Sequence, residues 1–169
     1  MADKTTFTAE EWSRLLSSPM IAGIAITAAD PSGVWGLLKE GMAAGWALLE
    51  ARQSSQANPL VRAVAEDFAT SEGRSAAKTA LQARFSGTTF NDLKNTALSE
   101  LQAVSSVLDG KAPEDSIAFK TWLQEVAKKA AEAGTEGGFL GFGGVAVSEA
   151  EKSTLAEIAV ALGRQSASA

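Results

Sequence analysis

Glu136-Gly137-Gly138-Phe139-Leu140-Gly141-Phe142-Gly143-Gly144-Val145-Ala146-Val147, leading into Ser148-Glu149-Ala150-Glu151, is the stretch on which the reading of this chain turns. Its glycines do not suit a helix interior, where each costs about 1 kcal/mol against alanine. The phenylalanines and leucine between them are equally foreign to a plain flexible linker. The segment therefore covers something apolar. Phe139-Leu140 and Val145-Ala146-Val147, joined through glycine, would make a hairpin too small to stand alone, so it would lean on helices or on a second subunit. The other reading is a loop whose Phe139 and Phe142 plug the end of a helical bundle. A phosphate cradle is disfavoured, because no Walker-type lysine follows and Glu149 and Glu151 occupy the positive end of the next helix.

Outward from this stretch the chain reads as helix throughout. On its C-terminal side, Ser148 and Glu151 form a capping box for a helix that turns Leu155, Ile158, Ala159 and Leu162 inward; the chain beyond Arg164 is expected to fray. On its N-terminal side a helix over 113–133 is expected to bury Ile117, Trp122, Val126 and Ala130, to expose Lys120, Glu125, Lys128 and Glu132, and to stop at Gly134. Before it, Leu93, Ala97, Leu98, Leu101, Val104 and Leu108 mark an amphipathic helix capped by Thr89 or Asn91 and ended by Asp109-Gly110.

Nearer the N-terminus, Thr8 and Glu11 form another capping box, opening a helix that turns Trp12 and Leu16 inward and ends at Ser17-Ser18. Pro19 then fits the first position of a new helix with Ser18 as cap. That helix is apolar on every side, the mark of a buried central helix or an interface helix. Asp30-Pro31 repeats the device and opens a long helix over 31–53, with Gly41 and Gly45 one turn apart, where a neighbouring backbone can approach closely. Asn58-Pro59 uses it again, for a helix with Leu60, Val61, Val64, Ala65 and Phe68 inward. A helix to Phe85 follows, either separate from it or continuous through a kink at Gly73. The unequal spacing of the proline signals excludes a fixed repeat.

The chain has 169 residues, enough for one domain with a substantial core. It has no cysteine and no histidine, which removes thiolate chemistry, disulfides and the commonest general base and zinc ligand. A formal charge of -5 without a basic cluster argues against nucleic acid and anionic membrane surfaces. No run free of charge is long enough to span a bilayer, since Asp30 and Lys39-Glu40 interrupt the most apolar region. The first residues lack the pattern of a secretory signal, so the cytoplasm is the expected compartment. Among carboxylates, only Glu40 and Glu66 lie near apolar faces; Glu10-Glu11, Glu114-Asp115, Glu149 and Glu151 fall in first or exposed turns, where the helix dipole favours them. Trp12, Trp35, Trp46 and Trp122 are packing volume or the walls of an apolar site. Trp35 and Trp46, eleven apart, share one helix side.

Trp122, Val126-Ala127, Ala130-Ala131, Glu136-Gly137-Gly138-Phe139, Gly143-Gly144, Val147-Ser148 and Glu151 together form a pattern that resembles a group of small all-helical bacterial proteins with a C-terminal Gly/Phe-rich segment. The resemblance implies a bacterial, self-contained, all-helical protein and assigns no functional residue.

The expectation is thus an all-α, single-domain bundle or irregular array of seven to eight helices over 1–169, with an ordered core over 8–163. No cofactor, metal or catalytic residue is assigned. The expected role is that of an interacting, self-associating protein, a homo-oligomer, with a carrier of a small apolar ligand as the alternative. The interface or apolar pocket would involve Trp35, Trp46, Gly41, Gly45, Phe139 and Phe142.

Overall fold

The computed structural model describes residues 2–29, 45, 48–54, 56–135 and 147–163. At its centre is helix α1 (Ala9–Thr27), whose apolar residues lie on every side. Thr8 and Glu11 close the expected capping box, with the Glu11 amide on the Thr8 hydroxyl and the Thr8 amide on the Glu11 carboxylate. The expected break at Ser17-Ser18 does not occur: α1 runs straight through Pro19. Proline removes the donor that the Leu15 carbonyl would otherwise receive, but the Ser18 hydroxyl donates to that carbonyl at 2.7 Å. Leu15, Leu16, Ile21 and Ile26 are all but completely buried. Each contributes about 1.5–3 kcal/mol, so the four together outweigh the roughly 3 kcal/mol that an interior proline costs.

Around α1 are arranged α2 (Pro59–Phe68), α3 (Ser71–Arg84), α4 (Leu93–Lys111), α5 (Pro113–Thr135) and α6 (Glu149–Ala161), and α1 touches every one of them. Residues 45 and 48–53 are also helical, and short 3-10 turns stand at Lys4–Thr6 and Phe90–Asp92. The fold is all-α and single-domain, with no strand among the described residues. Because α1 is enclosed by helices, its apolar circumference is core, and the central-helix reading of 19–26 holds.

Local chemistry sets most of the boundaries. Asn58 caps α2 by accepting from the Leu60 and Val61 amides, and Pro59 takes the first turn. Ser148 and Glu151 cap α6 as expected. The helices on either side of Gly73 are separate: α2 ends at Phe68, and Thr70 caps α3 by accepting from the Gly73 amide. The turn is so tight that a Cβ on Gly73 would lie 2.0 Å from the Asp67 carbonyl oxygen. At α4, neither Thr89 nor Asn91 caps the helix. Phe90–Asp92 forms the 3-10 turn instead, and the Thr89 hydroxyl bonds the Asp92 carboxylate. Asp109-Gly110 does not end α4, which continues to Lys111.

Helix α5 corrects the expected burial pattern at two positions. Ile117, expected inside, is 71% exposed, and Lys120, expected outside, is only 6% exposed. Phe119, Leu123, Val126, Ala127, Ala130 and Ala131 are the apolar residues this helix buries, at helical spacing, and Ile117 falls on the opposite side from Phe119. Lys120 flanks the buried stripe, where the Asp109 carboxylate of α4 receives its ammonium at 2.6 and 2.7 Å. Helix α5 also runs past the expected end at 133, to Thr135.

The Gly73 turn generates a direct test. Gly73→Ala forces the α2–α3 backbone to move and is expected to destabilise the protein by about 1–3 kcal/mol. Chemical denaturation reads this as a lowered midpoint. An unchanged midpoint would mean that the turn relaxes freely.

Candidate functional site

A groove of about 360 Å³ opens between residues 48–54, the connector 56–58 and one side of α5. Ala51, Val61 and Val126 give it an apolar floor, Trp122 forms a wall, and Glu50, Glu125 and Lys129 stand at its rim. The Trp122 ring meets Phe119 edge to face, with centroids 5.2 Å apart and planes at 75°. That contact with a fully buried ring holds the indole half out of the core and against the groove.

Ties on both sides hold the walls. The Arg62 guanidinium donates to the carbonyls of Ser54 and Ala57, at 3.2 and 3.4 Å, and so folds the connector onto α2. The Asn58 amide donates to Asp115 at 2.9 Å, joining the α2 cap to the first turn of α5. Lys129 on α5 pairs with Glu50 on the opposite wall. Such a site is pre-formed and apolar with a polar rim, which suits binding. The sequence supplies no histidine or cysteine to activate a nucleophile there.

Of the residues expected at an interface or pocket, Trp35, Gly41, Trp46, Phe139 and Phe142 lie outside the described residues, as do Lys39-Glu40 and the glycine-rich segment over 136–146. Gly45 is exposed, and no atom lies within 4 Å of where its Cβ would be, so among the described residues no helix presses on it. Trp12 is core: its indole donates to Asp67 at 2.6 Å and its ring packs on Phe7. Trp122, expected inward on its helix and as one of four tryptophans that pack or wall an apolar site, is half-buried and, among the described tryptophans, is the one that lines this groove. Ala51, Ala118 and Val126 line it too, and the sequence carries no signal that distinguishes these small residues from ordinary helix packing.

The carboxylates are also distributed differently from expectation. Glu66 is exposed, whereas Asp115 and Glu151, read as first-turn surface acids, are buried. Asp115 accepts from the Ala2 amide at 2.8 Å as well as from Asn58. Glu151 is consumed by its capping box. Burial opposes the charge on Asp67, but bonds from the Trp12 indole and the Lys4 ammonium hold its pKa below the usual 3.8. Asp109 is lowered as well, by Lys120 first and then by the Ser116 hydroxyl. These groups pin helices to one another. Among the described residues no cluster of acids is placed to hold a metal ion, and no helix is long and apolar enough to cross a membrane.

No protein-family model matches the chain, and no curated protein or solved structure matches it.

The ion pairs predict an acid limb of stability. Glu11, bonded first by Lys111 and then by the Thr8 amide, has its pKa lowered from 4.5 to about 2. A carboxylate depressed on folding stabilises fully above its unfolded value, and that stabilisation is lost as pH falls through the folded one. The urea midpoint should therefore begin to fall once pH drops below 4.5 and continue falling toward about 2. Glu11→Gln should lower the midpoint at neutral pH and flatten this limb; an identical slope in both proteins would contradict the assignment.

Proposed function

We propose that this chain is a non-catalytic binding protein whose ligand is a small, largely apolar molecule seated against Trp122. The groove of about 360 Å³ between residues 48–58 and α5 is the observation that carries this reading. Protein interiors leave few voids larger than a water molecule, and small-molecule sites typically measure about 300–1,000 Å³. The indole wall and the alanine and valine floor favour an apolar body. The Lys129 ammonium and the Glu50 and Glu125 carboxylates favour one polar end near the mouth. The resemblance over 122–151 supports a bacterial setting.

Self-association is a second reading, and Ile117 favours it. A large aliphatic side chain 71% exposed on the outer side of α5 is the kind of residue that a second copy would cover.

Ala118 is exposed and lines the groove, so Ala118→Trp fills the space without entering the core. The neutral fluorophore Nile red should bind the native chain at one saturable site and the variant about tenfold more weakly, a difference of roughly 1.4 kcal/mol. Equal binding to both, or no saturable binding, sinks the ligand reading. In sedimentation at micromolar concentration the second reading requires a dimer that Ile117→Lys dissociates, and a native monomer removes it.

A further inference from the structure

Away from the groove, on the side where α1 meets α3 and α4, two arginines share one acid. The Nε atoms of Arg14 and Arg84 both approach the same oxygen of Glu100, Oε2, at 3.3 and 3.0 Å. Arg14 Nε, Arg84 Nε and Glu100 Oε2 are all buried and face one another in these two ion pairs. The guanidinium ends are weakly supplied. One Arg84 Nη2 donates to the Glu10 carbonyl at 3.5 Å, the outer limit of such a bond. An Arg14 Nη2 stands 3.7 Å from the Glu10 carboxylate, which is too far for one. A guanidinium has five N–H donors in a fork that matches a planar or tetrahedral oxyanion. Here two such forks lie side by side with a single carboxylate between them.

Surface solvation does not account for this arrangement, because the Arg84 side chain is only 10% exposed. Burial, and after it the charge of Arg14, push the Arg84 pKa below its usual range. Both arginines line an open groove between α1 and α3, with Ser13, Ser75 and Thr79 along its sides. The Ser75 and Thr79 hydroxyls can donate to the outer oxygens of an anion, whereas the Ser13 hydroxyl is already given to the Glu10 carbonyl. Glu10 and Glu72 stand at the rim and oppose a negative ligand. The Glu10 side chain is 78% exposed, however, and is free to swing into water.

We propose that Arg14 and Arg84 form a binding site for one small oxyanion, a phosphate or carboxylate group, held on the groove side by their terminal Nη donors, where the Glu10 carboxylate now stands 3.7 Å from Arg14 Nη2. A cross-brace with a purely structural role would present both Glu100 oxygens to the two arginines. Both arginines line the groove, and beyond the two weak approaches to Glu10 their Nη donors are left to it. This site shares no residue with the groove at Trp122 and stands independently of the reading given to that groove.

The test follows the arginine Nε resonances of the folded, full-length chain by ¹H–¹⁵N NMR in low-salt buffer, titrating inorganic phosphate in one arm and acetate in the other. The expected result is a saturable shift of two arginine Nε signals. Glu10→Gln, which removes only a surface competitor, should tighten binding about threefold. Arg14→Gln, which removes charge-assisted bonds, should weaken it about tenfold or more. Arg14 is partly exposed, and circular dichroism checks that this variant is folded; the Glu10→Gln comparison stands whether it is or not. A tighter phosphate arm identifies a phosphate-bearing ligand, and a tighter acetate arm a carboxylate. Absence of a saturable shift, or one midpoint common to the native and variant proteins, overturns the proposal.

Discussion

The burial of α1 on nearly every side from Leu15 onward is the constraint on which the rest of this structure depends. A helix with leucine, isoleucine and alanine around its whole circumference has no face to give to water, so other helices must enclose it. Five helices do so, and each contributes one apolar stripe. The same constraint explains why Pro19 does not interrupt the helix. Splitting α1 would expose Ile21 and Ile26 to recover one backbone bond, and the Ser18 hydroxyl already satisfies the carbonyl concerned.

Polar groups decide how the enclosing helices are set. Asp115 ties the N-terminal residues and the α2 cap to α5. Asp67 gathers Trp12 and Lys4 onto the end of α2. Asp109 brings the buried Lys120 to α4, with Ser116 sharing the same carboxylate. A buried ammonium without a partner is expensive, and this pairing is what allows a lysine to occupy an inner position on α5. The Arg14–Glu100–Arg84 cluster differs from these joints because its donors exceed its acceptors. It joins α1, α3 and α4 through Glu100, and that imbalance is what the proposed anion site rests on.

Much of the fold was legible because helix ends are short-range chemistry. Thr8 with Glu11, Asn58 before Pro59, and Ser148 with Glu151 each place a side-chain oxygen where a free amide needs it, and each acts as expected. The inward residues of α2 and α4 were equally readable, since 3.6-residue spacing projects directly onto a helix face. At α5 the same projection failed. Ile117 and Lys120 compete for position there, and the winner is settled by Asp109, a residue of the preceding helix. The groove at Trp122 was legible only as a tryptophan with two possible roles. Its depth comes from small side chains on separate elements, which have no signature in sequence.

By itself the sequence determined an all-helical chain, the starts of several of its helices, an all-apolar helical stretch from Pro19 that had to be covered by other helices or by a partner, and the absence of thiol and imidazole chemistry. These follow from interactions within one turn or one helix, and from composition. The tertiary structure alone decided that α1 passes through Pro19, that Lys120 and Asp115 are buried, that Ile117 is exposed, and that Arg14 and Arg84 converge on Glu100. Each of those outcomes depends on groups far apart in the chain, and burial and charge compensation are set only when the helices are packed.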